Sequence, residues 1–496
     1  MKKIKNKWLE LIIVLSAPLL SVIDVFIINI AIPSIKKGVH ATNGEVQLVI
    51  AGYLLGYAAF LITGGRAGDH FGRKKVFFWG MLFFTLTSCL CGLSATPFQL
   101  ISTRFFQGLS ASFMVPQTIA FIQILFINAK ERAKAFGLFG ISLGTAAVIG
   151  QMLGGYLSDT HLAIAGWRLI FFINLPIGIV TLWATNKYVT ETKAHQAAKF
   201  DYMGTLILTL ALICLIYPLT QGRELGWPPW SLALIGLSFA IFAYFISDQK
   251  KKLAGNCNPL IDVRLFRIKD FNIGLIAVLF HFMLHTAYLL LSAVYLQNGL
   301  GISALHCGLY FILPGILFIF SSIVASRMIV RFGKSVLQAG AAIMALTFYL
   351  QMEFWTPGVS TWLVVGLMGA WGLGNGLVLP SLMNIALKNV PAQYAGAAAG
   401  VYSTFQQTAS ALGVSIIGGI FFNFSKQDWQ TAYHAGIIAI LVCVAGVEVM
   451  LYLLPGGNSA SQGLAESLKS GDSTNRNREL EKRLSPLEAD ATIKKN

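Results

Sequence analysis

An aspartate inside a hydrophobic run is the first place in this chain where chemistry could reside. Asp24 lies in Ser21-Val-Ile-Asp24-Val-Phe-Ile-Ile-Asn29-Ile-Ala-Ile-Pro33, with apolar residues on both sides. A carboxylate in hydrocarbon costs several kcal/mol or takes up a proton and becomes neutral, so such a group marks an ion or proton site. It stands about fifteen residues into a segment that starts near Leu9, roughly 22 Å along a helix, past the midplane toward the far side. Glu10, at the near edge of the same segment, is placed to reach water. A plainer reading stays open for Asp24, that of a carboxylate at a helix end or one paired for packing alone. Arg104 is the matching cation, six residues into the fourth hydrophobic segment with Gln107 and Gly108 one turn on. A guanidinium near Asp24 would stabilise its ionised form and expel the proton; by itself it would snorkel to the outer interface.

Other polar residues inside hydrophobic segments could line a central cavity: Asn29, Gln117, Gln123, His281, His285, Asn375, Asn384, Gln406 and Gln407. For each, a hydrogen bond between helices is the commoner use. His281 and His285 share a helical face and could also titrate near neutral pH. Glu448, in the last hydrophobic segment, is a further buried acid, either a second coupling residue or half of a salt bridge.

The elements that must hold these residues are membrane helices. Of 496 residues 55% are hydrophobic and 12% charged, with a mean hydropathy of +0.67, whereas soluble domains carry about 25% charged residues. Fourteen apolar windows of bilayer-crossing length recur, the first at 9–32 and the last at 432–454. The net charge of +16 raises the possibility of nucleic acid, but the cations sort by loop. Thirty-one of the 37 Lys and Arg fall on the side of the amino terminus. The opposite side has Lys36, Lys37, Arg223 and Lys426, and Arg104 and Arg168 lie at or within helices. This asymmetry predicts that both termini are cytoplasmic. The first segment is too long for a signal peptide and has no convincing cleavage site, and the six cysteines form no disulfide or metal framework in sequence.

The windows contain a repeat. Arg66-Ala-Gly-Asp69-His-Phe-Gly72-Arg73 returns as Arg327-Met-Ile-Val-Arg-Phe-Gly333-Lys334, an offset of 261. Gly108-Leu109 with Pro116 returns as Gly372-Leu373 with Pro380, an offset of 264. Repeats of this kind mark secondary transporters. The expected architecture is an all-α integral membrane protein, two six-helix bundles with pseudo-two-fold symmetry plus two inserted helices. Residues 1–190 form the first bundle, 191–270 the inserted pair and a cytoplasmic linker, 271–455 the second bundle and 456–496 a polar, disordered tail. Lys250 to Lys252 in the linker suit lipid headgroups. The ionic residues are not duplicated: Asp69 corresponds to Val330 and Arg104 to Met368.

Gly64-Gly65-Arg-Ala-Gly-Asp69-His-Phe-Gly72-Arg73-Lys74-Lys75 resembles the signature loop of the major facilitator superfamily. The stretch from Ile23 to Ile35 resembles the first-helix motif of its fourteen-helix drug:proton antiporter branch. Arg104-Phe-Phe-Gln107-Gly108 is similar to the fourth-helix motif, and Trp167-Arg168 through Asn174, Pro176 and Gly178 to the sixth-helix segment. The fifth-helix antiporter motif departs from the family pattern: Gly150-Gln151-Met-Leu-Gly154-Gly155 keeps the glycines that permit close helix packing but lacks the proline.

The resemblance implies an alternating-access exporter of amphipathic drugs or natural products in exchange for protons. It implies no cofactor beyond the proton gradient. Its partners would be a small-molecule substrate, protons and membrane lipids, with no nucleic acid, and it would act as a monomer in a bacterial cytoplasmic (inner) membrane. It also implies a cytoplasmic gate of Gly65, Asp69, Gly72, Arg73 and Lys74, in which Asp69 meets the helix start at Gly396–Gly400. The glycines allow the turn and the acid suits a helix amino terminus. An alternative is a dedicated transporter of a siderophore, amino acid or organic anion, with Arg104 and the histidines as substrate ligands. A non-transporting scaffold accounts poorly for polar residues inside helices. An enzyme is disfavoured: Gly333-Lys334-Ser335 is no phosphate loop, because Met328 replaces its first glycine.

Overall fold

A computed structural model describes residues 6–160, 164–192, 201–255, 257, 259–387, 390 and 395–454. Fourteen helical spans are long and apolar enough to cross a membrane. The first half holds α1 (Lys7–Gly38), α2 (Asn43–Phe71), α3 (Arg73–Leu93), α4 (Pro97–Leu125), α5 (Lys134–Ser158) and α6 (Gly166–Tyr188). Two further helices follow, α7 (Tyr202–Gly222) and α8 (Pro229–Ala254). The second half holds α9 (Lys269–Asn298), α10 (Ala304–Ile329), α11 (Ser335–Phe354), α12 (Thr361–Leu387), α13 (Ala398–Phe424) and α14 (Trp429–Leu453). The polar tail expected to be disordered lies outside the described residues.

Three spans are broken, at Leu15, Ile173 and Phe311. Each break falls three residues before a proline: Pro18, Pro176 and Pro314. Proline has no N–H to bond the carbonyl four residues back, so one helical hydrogen bond is lost at each site. In α1 the carbonyl freed in this way is that of Val14, and Thr118 Oγ1 of α4 donates to it at 2.7 Å. The break in α6 comes directly before Asn174, which bears on the site described below.

The repeat read from sequence is present in backbone geometry. Gly72 after α2 and Gly333 after α10 both have positive φ, 105° and 57°. A Cβ at Gly108 would stand 1.9 Å from the carbonyl oxygen of Tyr53, and one at Gly372 would stand 2.3 Å from that of Pro314. The partners Tyr53 and Pro314 are themselves 261 apart. Glycine is needed there because the backbones of α4 and α2, and of α12 and α10, nearly touch.

The inserted pair is tied in on the boundary between the halves. α7 packs on α2 and α13, with Thr63 bonded to Thr205 at 2.7 Å and Thr220 to Ser415 at 2.9 Å. Asp201 gathers Lys252, Gln249 and the backbone N–H groups of Gly204 and Leu260. Burial by itself would raise its carboxyl, but these hydrogen bonds hold it below the usual carboxylate range. Arg66 donates to the carbonyl of Pro259 at 2.7 Å. The lysines placed in the linker by sequence lie instead in the last turns of α8, and they are more than a row of cations for lipid: Lys252 is engaged by Asp201 and Asp248, while Lys250 and Lys251 are exposed. Glu10 also differs from expectation, since it is buried and accepts from Thr190 N and Oγ1 at 3.2 and 2.9 Å.

Candidate functional site

Asp24 and Arg104 form an ion pair with side chains 0% and 1% exposed. The carboxylate is held on both oxygens. Arg104 Nη1 donates to Oδ2, while Gln107 Nε2 donates to Oδ1 at 2.8 Å and Asn174 Nδ2 approaches Oδ1 at 3.4 Å. Arg104 further donates to Gln107 Oε1 at 2.8 Å and to the Val49 carbonyl at 3.3 Å. Its guanidinium lies over the Tyr53 ring, 4.4 Å from the centroid. Tyr53 bonds Ser21 at 2.7 Å. Asn174 bonds Ser88, and Ser88 donates to the Phe171 carbonyl at the break in α6.

This network draws on α1, α2, α3, α4 and α6, so a change in the charge of Asp24 is felt across most of the first half. Arg104 does not snorkel, because its donors are aimed inward. The sequence pattern points to Asp24, Arg104 and Gln107. Asn174 stands within a family-like segment without an assigned role, while Ser88 and Tyr53 carry no signal, being ordinary polar residues in apolar helices.

The α5 glycines lie against the helix that bears Asp24. Added Cβ atoms at Gly150 and Gly154 would meet the carbonyls of Ile23 at 2.9 Å and Ile27 at 2.5 Å. Gly155 faces the Ala304 carbonyl on α10 at 2.4 Å, and a Cβ at Gly308 would meet that of Gln151 at 2.5 Å. Gln151 itself is buried. One motif thus packs α5 on α1 and α10 together.

In the turn after α2, Asp69 pairs with Arg73. The start of α3 is capped by Glu191, which accepts from Lys74 N at 3.0 Å and Lys75 N at 3.2 Å. Nothing in the sequence pattern marks Glu191 for this. Lys74 Nζ donates to the Asn186 carbonyl at 2.9 Å. A Cβ at Gly65 would lie 3.8 Å from Pro116, and Gly400 faces Ile62. The side chains at 395–397, in the helix start assigned to Asp69, lie outside the described residues.

The softer candidates separate. Gln117 is a clasp between helices, its Nε2 donating to the Gly64 carbonyl at 2.8 Å. Gln123 is exposed near the end of α4, and Gln406 and Gln407 are half-buried on α13. Asn29 is buried and donates only to Val25 of its own helix, leaving Oδ1 unpartnered. The Asn384 side chain lies outside the described residues. Glu448 is half-buried beside Gln338. His281 makes no close hydrogen bond through either buried ring nitrogen, although the Asn375 side chain of α12 stands beside it, and Nδ1 of His285 is bare. The two rings stack, 6.3 Å apart, and His285 stacks on Trp371 at 5.7 Å.

Two related helix bundles with a buried acid–guanidinium pair in one of them define a secondary membrane transporter rather than an enzyme. The family model described as Major Facilitator Superfamily matches residues 14–414 and 273–485. The chain is 34% identical over 421 residues to a probable actinorhodin transporter of Streptomyces coelicolor, covering 84% of this chain and 73% of that one. It is 30% identical over 405 residues to the multidrug resistance protein Stp of Mycobacterium tuberculosis, covering 80% and 73%. A crystal structure of a D-xylose-proton symporter superposes with a TM-score of 0.64 at 14% identity, covering 90% of this chain and 98% of that one, a likeness of fold. The chain belongs to the major facilitator superfamily, in its drug:proton antiporter branch.

Proposed function

We propose that the protein exports amphipathic drugs or natural products in exchange for protons, by alternating access between its two halves in a bacterial cytoplasmic membrane with both termini inside. The observation that carries the coupling is the sealed Asp24–Arg104 pair. Ionised, Asp24 draws α1 and α4 together through the guanidinium. Protonated, it loses that attraction and can serve Gln107 and Asn174 only as a neutral group, so α1 is freed to move. The ion pair with Arg104 re-forms only once the proton has left, and an export cycle requires that it leave to the inner side. The relatives named for actinorhodin transport and multidrug resistance support small-molecule export. The Asp69–Arg73 pair serves the inner gate, and Lys250 and Lys251 meet lipid headgroups. No cofactor is needed beyond the proton gradient, and one copy suffices. A dedicated anion transporter using Arg104 as ligand is disfavoured, because that side chain is already committed to Asp24.

The test is drug-induced dissipation of a pH gradient in everted vesicles. Asp24→Asn is expected to abolish the dissipation while the protein remains folded and inserted. Undiminished drug–proton exchange in that variant would sink the reading.

A further inference from the structure

The second half places an aromatic stack where the first half places charges. The offset of 261 carries Asp24 onto His285, and the offset of 264 carries Gln107 onto Trp371 and Arg104 onto Met368. Helix bounds agree with this mapping, since α9 begins 262 and ends 260 residues after α1. At the mapped positions the rings of His285 and Trp371 stack at 5.7 Å and 20°. His281 continues the stack at 6.3 Å and 16°. Phe26, two residues from Asp24 on α1, meets His285 edge-on at 6.5 Å and brings the first half to the same place.

Unlike the ionic network, this cluster is unsatisfied. Both ring nitrogens of His281, Nδ1 of His285, Nε1 of Trp371 and Oδ1 of Asn375 are buried without a close hydrogen bond. The Asn375 side chain stands close enough to His281 to act on it as a long hydrogen-bond partner, which still leaves the other His281 nitrogen, Nδ1 of His285 and Nε1 of Trp371 without one. His281, Trp371 and Asn375 are 0%, 5% and 2% exposed. Native interiors leave few such atoms bare, and each costs free energy until a partner meets it. Several converging on one stack of rings mark a place for a ligand's polar groups.

The atoms also specify the ligand. The indole N–H can only donate, the Asn375 oxygen can only accept, and a neutral imidazole does one of each. A matching molecule carries both donors and acceptors, a need that hydroxyl and carbonyl groups on one ring system meet together. No carboxylate or ammonium acts on either imidazole among the described residues, and Asp24 is taken by Arg104. A permanent cation would meet aromatic faces but no counter-charge, would lose its hydration, and would leave the bare donors and acceptors unmatched. Flat rings favour a flat π-system laid against them.

We propose that His281, His285, Trp371 and Asn375, edged by Phe26, form the substrate-recognition site, and that it takes neutral, planar fused-ring aromatics bearing hydroxyl and carbonyl groups in preference to permanent cations. This rests on the exporter reading and divides its two roles between the halves, protons to the first and substrate to the second. Phe26 and Asp24 on one helix then link the two.

The experiment is equilibrium binding to the purified full chain in lipid nanodiscs, with a dihydroxyanthraquinone as probe and ethidium as competitor. Saturable binding of the anthraquinone is expected, with little displacement by ethidium. His281→Phe is expected to weaken it at least about fivefold, the factor one net hydrogen bond is worth, and Trp371→Phe, which keeps a ring, to weaken it as well. The proposal is overturned by absence of saturable binding, by ethidium competing equally well, or by both variants, monodisperse as purified, keeping full affinity. Binding needs no gradient, so failure here is separable from failure of the exporter reading, which would appear as Asp24-independent transport.

Discussion

At the residue scale, the central fact is a charge pair sealed from water. Taking one partner away leaves the other charged and buried, which typically costs about 3–5 kcal/mol, while replacing both by neutral groups of similar size is often tolerated. Arg104→Ala is therefore expected to lower thermal stability in detergent by an amount in that range. Asp24→Asn combined with Arg104→Met should recover much of the loss and still fail to couple. The repeat offers a natural precedent, because Met368 occupies the position matching Arg104 in the second half. Paired melting curves of the single and double variants check this; a double variant no more stable than Arg104→Ala would mean that the pair is not the source of the cost. Asp24 and Arg104 are legible in sequence because charge in an apolar run is a sharp anomaly. Asn174, Ser88 and Tyr53 are not, since a neutral polar side chain in a membrane helix has many uses and only the fold selects one.

At the scale of elements, the chain shows how helix breaks and their repair are encoded. Pro18 and Pro176 stand beside no turn signal in the sequence, Pro314 has only Gly315 after it, and the hydrophobic windows run straight through all three. The structure shows a break three residues before each. Thr118 repairs one of them from across the bundle by bonding the Val14 carbonyl. Removing that hydroxyl with Thr118→Val leaves a buried acceptor bare, at a cost of about 1–3 kcal/mol. The same substitution combined with Pro18→Ala, which restores the N–H of residue 18 to the helix, should cost clearly less than the two single effects added. A thermodynamic cycle of unfolding measurements tests the coupling, and strict additivity would show that Thr118 answers some other need. Helix number and the repeat are readable because hydrophobic length and glycine spacing are local. Partners such as Glu191 for the start of α3, or Thr190 for Glu10, stay hidden because they join residues far apart in sequence.

At the scale of the whole molecule, the halves meet firmly at the end away from the basic loops. There Gln297 Nε2 of α9 donates to the Ile30 carbonyl of α1 at 2.9 Å, and Leu305 N of α10 donates to Asp159 Oδ2 just beyond α5 at 2.8 Å. Gly155 and Gly308 let α5 and α10 close to backbone contact in the same region. If the cationic loops are cytoplasmic, this is a closed outer end, and an export cycle must open it to release substrate. The contacts are suited to such opening, because two hydrogen bonds and a glycine seam form a seal that separates as two rigid surfaces, without unfolding a helix. Tethering it should therefore stop transport without disturbing the fold. Cysteines introduced at Asp159 and Leu305, in a chain whose six native cysteines have been replaced, can be joined by a short thiol-reactive crosslinker with a reducible spacer. Crosslinking is expected to abolish drug-driven proton movement and reduction to restore it. The dihydroxyanthraquinone should still bind the tethered protein from the cytoplasmic side. Continued transport with the tether in place would show that this end does not open in the cycle, and that the two halves do not rock about the site between them.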